Sequence, residues 1–245
     1  MRAILFAILL AAGLSAAAQE PRKYAVLSLV GDALMVIERE MTTGSRVDRN
    51  VRTRLAVDTP ALDNAIVRAL DREIERMIPG ANPVLLAARR AEFFEIQSRA
   101  LDEGAGIQKV IEALKPVVAP TNATHLILAT KHRALARLRI ASGNVGDGLL
   151  EGLGFYLDHH MKLVNRETGA TGDGFIAPYA YFIVSLVDLR TGEVVKRSTV
   201  TESHAQGNTA AQTTWGTLTP EDKQRMLEGL IRRGVQGAVP ELLRN

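Results

Sequence analysis

The sequence contains no cysteine, and this absence excludes several classes of protein at once. Without a thiol the chain has no disulfide, no cysteine-ligated zinc or iron–sulfur site, no cysteine nucleophile and no lipid attached through cysteine. Aromatic residues are scarce, at 4%, and only 5 histidines are spread over 245 residues. The hydrophobic share of 47% is that of a globular protein, which excludes wholesale disorder and a collagen-like fibre.

The first 18 residues have the layout of a bacterial signal peptide. Arg2 precedes an apolar run over residues 3–14, and small residues follow at 16–18, so we expect cleavage between Ala18 and Gln19. The alternative is an uncleaved anchor helix, for which the apolar run is short. No later segment has 18 consecutive apolar residues. The sequence therefore predicts a periplasmic or secreted protein without a membrane span after signal removal, and not a lipoprotein.

The charge pattern argues against a nucleic-acid partner. The formal net charge is only +3, and the arginines of residues 46–54 are interleaved with Asp48. Neither these arginines nor those of residues 133–139 are interleaved with the aromatic residues on which bases stack. We therefore predict that both arginine clusters form solvated charged faces and bind no nucleic acid.

The first half of the chain alternates strands with helices. Apolar runs at residues 24–30 and 33–37, joined by Gly31-Asp32, predict a β-hairpin or a bent pair of strands. Thr59 is the predicted N-cap of a helix that Pro79 and Gly80 end, with apolar residues at helical spacing between them.

Shorter segments follow. Residues 84–88 predict either a strand or the first turn of the next helix, which covers residues 90–101. A further helix begins near Ile107 and is predicted to end at Pro116, and residues 125–130 predict a buried strand.

The second half of the chain is rich in glycine and then in β-branched and aromatic residues. Residues 141–176 are interpreted as a glycine-rich insertion with little regular structure. Residues 179–187 and 193–202 predict a β-hairpin, and Thr219 begins the last helix with a capping-box-like start. The order predicts a single α/β domain over residues 19–245, with a mixed sheet flanked by helices and a C-terminal hairpin followed by a helix.

Three segments resemble a known group of envelope proteins. They are Ala25-Val26-Leu27-Ser28-Leu29, Thr124-His125-Leu126-Ile127-Leu128, and the apolar strand and Asp-Leu-Arg-Thr-Gly turn of residues 184–195. With the order of elements, they resemble the periplasmic domain of the curli-secretion channel family and the amino-terminal domain of the TolB family. The resemblance implies an envelope assembly or interaction module and not an enzyme. The channel proteins are lipoproteins, whereas this chain has no cysteine to acylate.

One local cluster has the chemistry of metal ligands, namely Asp158, His159 and His160. Adjacent histidines point to opposite sides of a strand, so one site rarely uses both. His204 could join them only through the fold. We therefore predict no metal, no cofactor and no catalytic residue, and these three residues remain weak candidates for a metal site.

Two glycine motifs are near matches to catalytic or phosphate-binding motifs. Gly31-Asp32 is followed by Ala33, so the serine of a Gly-Asp-Ser block is absent, and the motif predicts a turn. Gly146 and Gly148 begin a pattern in which Glu151 stands where a dinucleotide fingerprint needs its third glycine. Both motifs are interpreted as turns or loops.

The sequence leaves two functional hypotheses. The first is an exported, non-catalytic envelope protein that acts as an interaction or assembly module with a protein partner. The second is a periplasmic hydrolase or metal-dependent enzyme built on the glycine-rich insertion, using Asp158, His159 or His160.

Overall fold

The computed structural model describes residues 22–40, 48–140, 143–164, 169, 171–207 and 215–244. The predicted signal peptide and its cleavage point lie outside these residues. The elements in chain order are β1 (Tyr24–Ser28), β2 (Ala33–Glu38), β3 (Val51–Ala56), α1 (Ala61–Met77), β4 (Val84–Leu85), α2 (Ala91–Asp102), α3 (Gln108–Val118), β5 (His125–Lys131), β6 (Arg133–Leu135), β7 (Leu138–Ile140), β8 (Gly143–Val145), β9 (Leu149–Val164), β10 (Thr171–Asp188), β11 (Val194–Ser203), β12 (Gln206–Gly207) and α4 (Pro220–Leu243).

The long strand β10 lies at the centre of a mixed sheet. Antiparallel β11 pairs with it over residues 179–187. Strand β9 pairs with residues 171–181 of β10, and β5 pairs with residues 182–188. Because β11 and β12 pair with one edge of β10, over residues 179–187 and 175–176, β9 and β5 lie end to end along the other edge.

The strands next to β5 and β9, which are β1 and β2, also lie end to end. Strand β1 is parallel to β5, and β2 is parallel to β9, so β1 and β2 run in the same direction, one after the other. This is the predicted bent pair of strands, and the hairpin alternative is wrong because the two strands do not pair with each other. Residues 29–32, which join them, are called the seam below. Strands β4 and β3 form the outer edge beside β1 and β2, respectively.

Helices α1 and α4 cover one face of the sheet. Their apolar stripes, which include Ile66, Leu70, Leu230 and Val235, pack on alternate residues of β1, β5, β9 and β10, such as Phe182. Helix α4 begins with the predicted capping box, in which the Thr219 hydroxyl accepts from the amide of Asp222.

The opposite face is covered in two parts. Helices α2 and α3 pack on β1 and β5 through apolar residues such as Phe93 and Leu114. The segment from β6 to β8, through Leu138, covers an aromatic layer on β9 and β10 that includes Tyr156 and Tyr179. Each face of the sheet is therefore buried along most of β10, as the apolar sequence of that strand predicts.

Three local predictions are wrong. The region 141–176 is not irregular, because most of its described residues belong to β8, β9 and β10. Helix α3 continues through Pro116 to Val118, since a proline in the last turn leaves only one solvent-facing carbonyl without its helical donor. Helix α1 has Pro60 at its N-cap with no side-chain hydrogen bond, so Thr59 does not cap it.

The predicted fold class is confirmed. The sheet is mixed and flanked by helices, and the β10–β11 hairpin is followed by the last helix. Among the described residues, the helices are too short or too polar to cross a bilayer.

Candidate functional site

Asp158, the acidic member of the predicted metal cluster, is fully buried in β9. One carboxylate oxygen lies 2.7 Å from Nη1 of Arg39, and the other accepts hydrogen bonds from the amides of His160 and Met161. Burial opposes ionisation, but the Arg39 hydrogen bond and the two amides outweigh it and lower the pKa of Asp158. The carboxylate is therefore a charged structural anchor whose acceptor sites already have partners.

The histidines are not gathered around this carboxylate. His159 and His160 are exposed on β9, whereas His204 follows β11 on the other edge of β10. In the part of the chain that the structure describes, no three His, Asp or Glu side chains form a group able to hold a metal ion.

Arg39 connects Asp158 to the Gly146-Asp147-Gly148 loop. Its Nε lies 3.2 Å from a carboxylate oxygen of Asp147, and the other oxygen of Asp147 accepts from the hydroxyl of Tyr156. The side-chain amide of Asn50 donates to the backbone carbonyl of Asp147. Two motifs that the sequence suggests for chemistry thus belong to one network that holds the loop against β2 and β9.

A second buried polar network lies at the seam. One carboxylate oxygen of Asp63, in the first turn of α1, accepts from the hydroxyl of Ser28 and from the amides of Val30 and Gly31, at 2.5–3.0 Å. Burial is the largest influence on this carboxyl and raises its pKa despite these donors, and the charge of Asp32 acts in the same direction. A Cβ atom on Gly31 would lie 2.7 Å from the amide nitrogen of Asp63, so the seam requires glycine there.

Gln97 of α2 contacts the seam from the face of the sheet opposite α1. Its side-chain amide donates to the carbonyl of Leu29 at 2.7 Å and accepts from the amide of Lys131 at 2.9 Å. This buried side chain thereby bonds to the backbone at the carboxyl ends of both β1 and β5. In open α/β sheets, that edge of parallel strands is where ligands commonly bind.

Three charged side chains meet beside the seam. Asp32 lies 2.7 Å from Nζ of Lys131 and 2.8 Å from Nη2 of Arg54. The Lys131 side chain is only 8% exposed, so its buried charge is compensated by Asp32. The Arg54 side chain, in contrast, is largely exposed. Two cations thus share one carboxylate, which leaves one positive charge uncompensated within this group.

Two cavities open on either side of these residues. The first, called the inner groove, has a volume of about 520 Å³. Apolar residues of β2 and β9, including Met35 and Leu149, line it together with Lys131 and Arg54. The second, of about 850 Å³, is called the seam cavity and contains Asp32 and Asp63 in its wall. Both volumes are in the usual range for small-molecule pockets.

The outer edge of the sheet is apolar and has no neighbouring strand among the described residues. All six residues of β3 are exposed, and β2 is the only strand that pairs with it in the part of the chain that the structure describes. Val51 and Leu55 on β3 are 47% and 40% exposed, and Val84 and Leu85 on β4 are 41% and 44% exposed. Half of the large hydrophobic residues exposed in the described structure thus lie on this edge.

The register defines which backbone groups of β3 face outward. Val57 donates to the carbonyl of Asp32, which is one position beyond the pair of Ala56 and Ala33. Hydrogen-bonded pairs alternate along an antiparallel ladder. The amides and carbonyls of Arg52, Arg54 and Ala56 therefore point away from β2, toward the open side of the sheet.

Sequence reasoning missed the seam residues. The Gly31-Asp32 motif predicts only a turn, and no motif surrounds Gln97 or Lys131. Asp63 occupies an apolar helical stripe, between Leu62 and Ile66, and a polar residue on such a stripe is the one signal that pointed to a buried role. The partners of these side chains are distant in sequence, so local patterns do not reveal them.

Comparisons with known proteins add a distant structural likeness. No family model and no curated protein matches the chain. The structure is similar to the PelC dodecamer from Paraburkholderia phytofirmans, with a TM-score of 0.33, 10% sequence identity, and coverage of 91% of this chain and 89% of that chain. Likeness at this level supports no argument about this protein's function.

Proposed function

We propose that this protein is an exported, non-catalytic module of the cell envelope that binds another envelope protein through its outer sheet edge. The observation that carries the proposal is the open outer edge of β3, which has no neighbouring strand among the described residues and where the apolar residues Val51 and Leu55 are exposed. An open edge strand pairs readily with an extended segment of another chain. The signal-peptide layout of residues 1–18 supports location in the envelope.

The chemistry of β3 indicates what kind of segment it accepts. Val51, Thr53 and Leu55 face one side of the strand, and Arg52 and Arg54 face the other. The strand carries no acidic residue. The complementary partner is therefore an extended segment that alternates apolar residues, opposite Val51 and Leu55, with acidic residues, opposite the arginines.

The test is site-specific photo-crosslinking in the native host. A photoreactive amino acid at Thr53, which is exposed and has no side-chain partner in the described residues, would lie beside the bound segment. We expect one envelope protein to be cross-linked through an acidic and apolar segment. Cross-links only to further copies of this chain, or to no protein, would contradict the proposal.

Matched variants test whether the edge itself is responsible. Val51→Lys with Leu55→Lys adds charge to the apolar side of β3 without changing a buried residue, and should reduce the cross-linked product at least tenfold. Val195→Lys makes the same change at a residue 46% exposed on β11 and should leave the yield unchanged. Equal yields from the two variants would show that the partner does not bind β3.

A further inference from the structure

The inner groove combines an apolar floor with a cation-rich end, and this combination is characteristic of a site for an amphipathic anion. Met35 and Ile37 of β2 form part of the floor, and Leu149 of β9 continues it. Leu149 is 43% exposed, so it presents apolar surface to the groove. An aliphatic ligand in the groove would remove this apolar surface from water, which is the main source of affinity in such pockets.

The charges around the groove are distributed unevenly. At the seam end, Lys131 and Arg54 share the single carboxylate of Asp32. Elsewhere Arg52 pairs with Asp48, and Arg133 contacts two carboxylates, Glu151 and Asp102, which leaves one surplus negative charge beside Arg133. The uncompensated positive charge is therefore at the seam end, and Ser98 also lines the groove.

We propose that the inner groove binds a small aliphatic anion, with its carboxylate or phosphate against Lys131 and Arg54 and its hydrocarbon chain on Met35, Ile37 and Leu149. Charge-assisted hydrogen bonds from an ammonium and a guanidinium are strong where water is excluded, and Lys131 is nearly inaccessible to solvent. A volume of about 520 Å³ accommodates a chain of roughly ten carbons with its head group. The groove lies on the face of β3 opposite Val51 and Leu55, and Arg54 is common to the groove and to the proposed partner-binding edge.

Isothermal titration calorimetry of the protein with decanoate and with decyl phosphate tests the proposal. At least one of these probes should bind saturably with one ligand per chain. Acetate and decanol, which lack the chain or the charge, should bind at least tenfold more weakly. Absence of saturable binding by both probes, or equal binding of decanol, would overturn the proposal.

Substitutions locate the site without disturbing the fold. Arg54→Gln removes one of the two cations from an exposed position and should weaken binding about tenfold. Met35→Asn should also weaken it, because it places a polar group on the floor. Arg68→Gln, on the exposed side of α1, is the matched control and should bind as the unmodified protein does. If Arg54→Gln and Arg68→Gln bind decanoate equally, the anion does not lie at the seam end.

Discussion

At the scale of single residues, carboxylates with the chemistry of metal ligands or catalytic groups stabilise the fold. Asp158 pairs with Arg39 and accepts hydrogen bonds from two backbone amides. Asp63 accepts hydrogen bonds from the amides of Val30 and Gly31 in the seam. Buried polar groups are stable only when they have partners, and each of these carboxylates has at least one partner outside its own element. Their burial therefore reflects how strands and helices are joined.

Gly154 is a residue whose substitution should be costly. A Cβ atom there would lie 2.0 Å from the backbone oxygen of Met35 and 2.6 Å from the hydroxyl of Tyr179. Gly154→Ala should therefore lower the free energy of unfolding by about 1–3 kcal/mol, because neither the strand nor the packed ring can move freely. Urea denaturation measures this change.

Gly237→Ala provides the control for that substitution. Gly237 is an exposed glycine within α4, and a Cβ atom there would meet nothing within 4 Å. This change should raise the stability by about 0.5–1 kcal/mol, since alanine favours the helix. A destabilisation as large as that of Gly154→Ala would contradict the packing argument.

Asp63 should make the stability depend on pH. Its pKa is raised by burial in the folded protein, above the ordinary aspartate value of 3.8, so the folded state holds the proton more tightly than the unfolded state. The stability that this group contributes is complete at low pH and decreases as the pH rises through the folded-state pKa. Asp63→Asn, which keeps an oxygen acceptor, should flatten this part of the profile.

Asp63→Ala separates charge from hydrogen bonding. It leaves the amides of Val30 and Gly31 without their acceptor and should cost about 1–3 kcal/mol at every pH. Urea midpoints measured between pH 4 and pH 8 for both variants provide the comparison. An unchanged slope in Asp63→Asn would show that another group produces it.

At the scale of elements, the two helices of the α1–α4 layer begin in different ways. Helix α4 has a complete capping box at Thr219, whereas Thr59 makes no capping hydrogen bond to α1. Thr219→Ala should therefore cost about 1 kcal/mol, and Thr59→Ala should cost much less. Thermal unfolding of the two variants measures the difference, and equal losses would argue against the cap at Thr219.

The elements also differ in how well the sequence predicts them. The helical spacing of α1 and the capping residues of α4 are local signals, and they predict both bounds of α1 and the beginning of α4 close to where the structure has them. Strands β9 and β10 were partly mistaken for an irregular insertion because of their glycines. Positions such as Gly154 lie where backbone and rings approach closely, which is a tertiary requirement that favours glycine within a strand.

At the scale of the whole molecule, the sheet should open from its outer edge inward. Residues 179–187 of β10 pair on both sides and are covered on both faces, whereas β3 pairs only with β2 among the described residues. Amide exchange followed by NMR should therefore be slowest in β10 and fastest at the outward amides of Arg52 and Arg54. Strong protection of these two amides in the isolated protein would mean that the edge is already occupied.

The sequence by itself determined the class of the fold, the helices with clear stripes and caps, and the C-terminal hairpin. These features depend on periodicity and on neighbouring residues, which the sequence displays directly. Only the tertiary structure decided that β1 and β2 run end to end, that Asp63 and Gln97 hold the seam, and that Asp32, Lys131 and Arg54 border a groove. The contacts of Asp32, Asp63 and Gln97 join residues 22 to 99 positions apart in the chain. Local sequence patterns do not show such distant contacts.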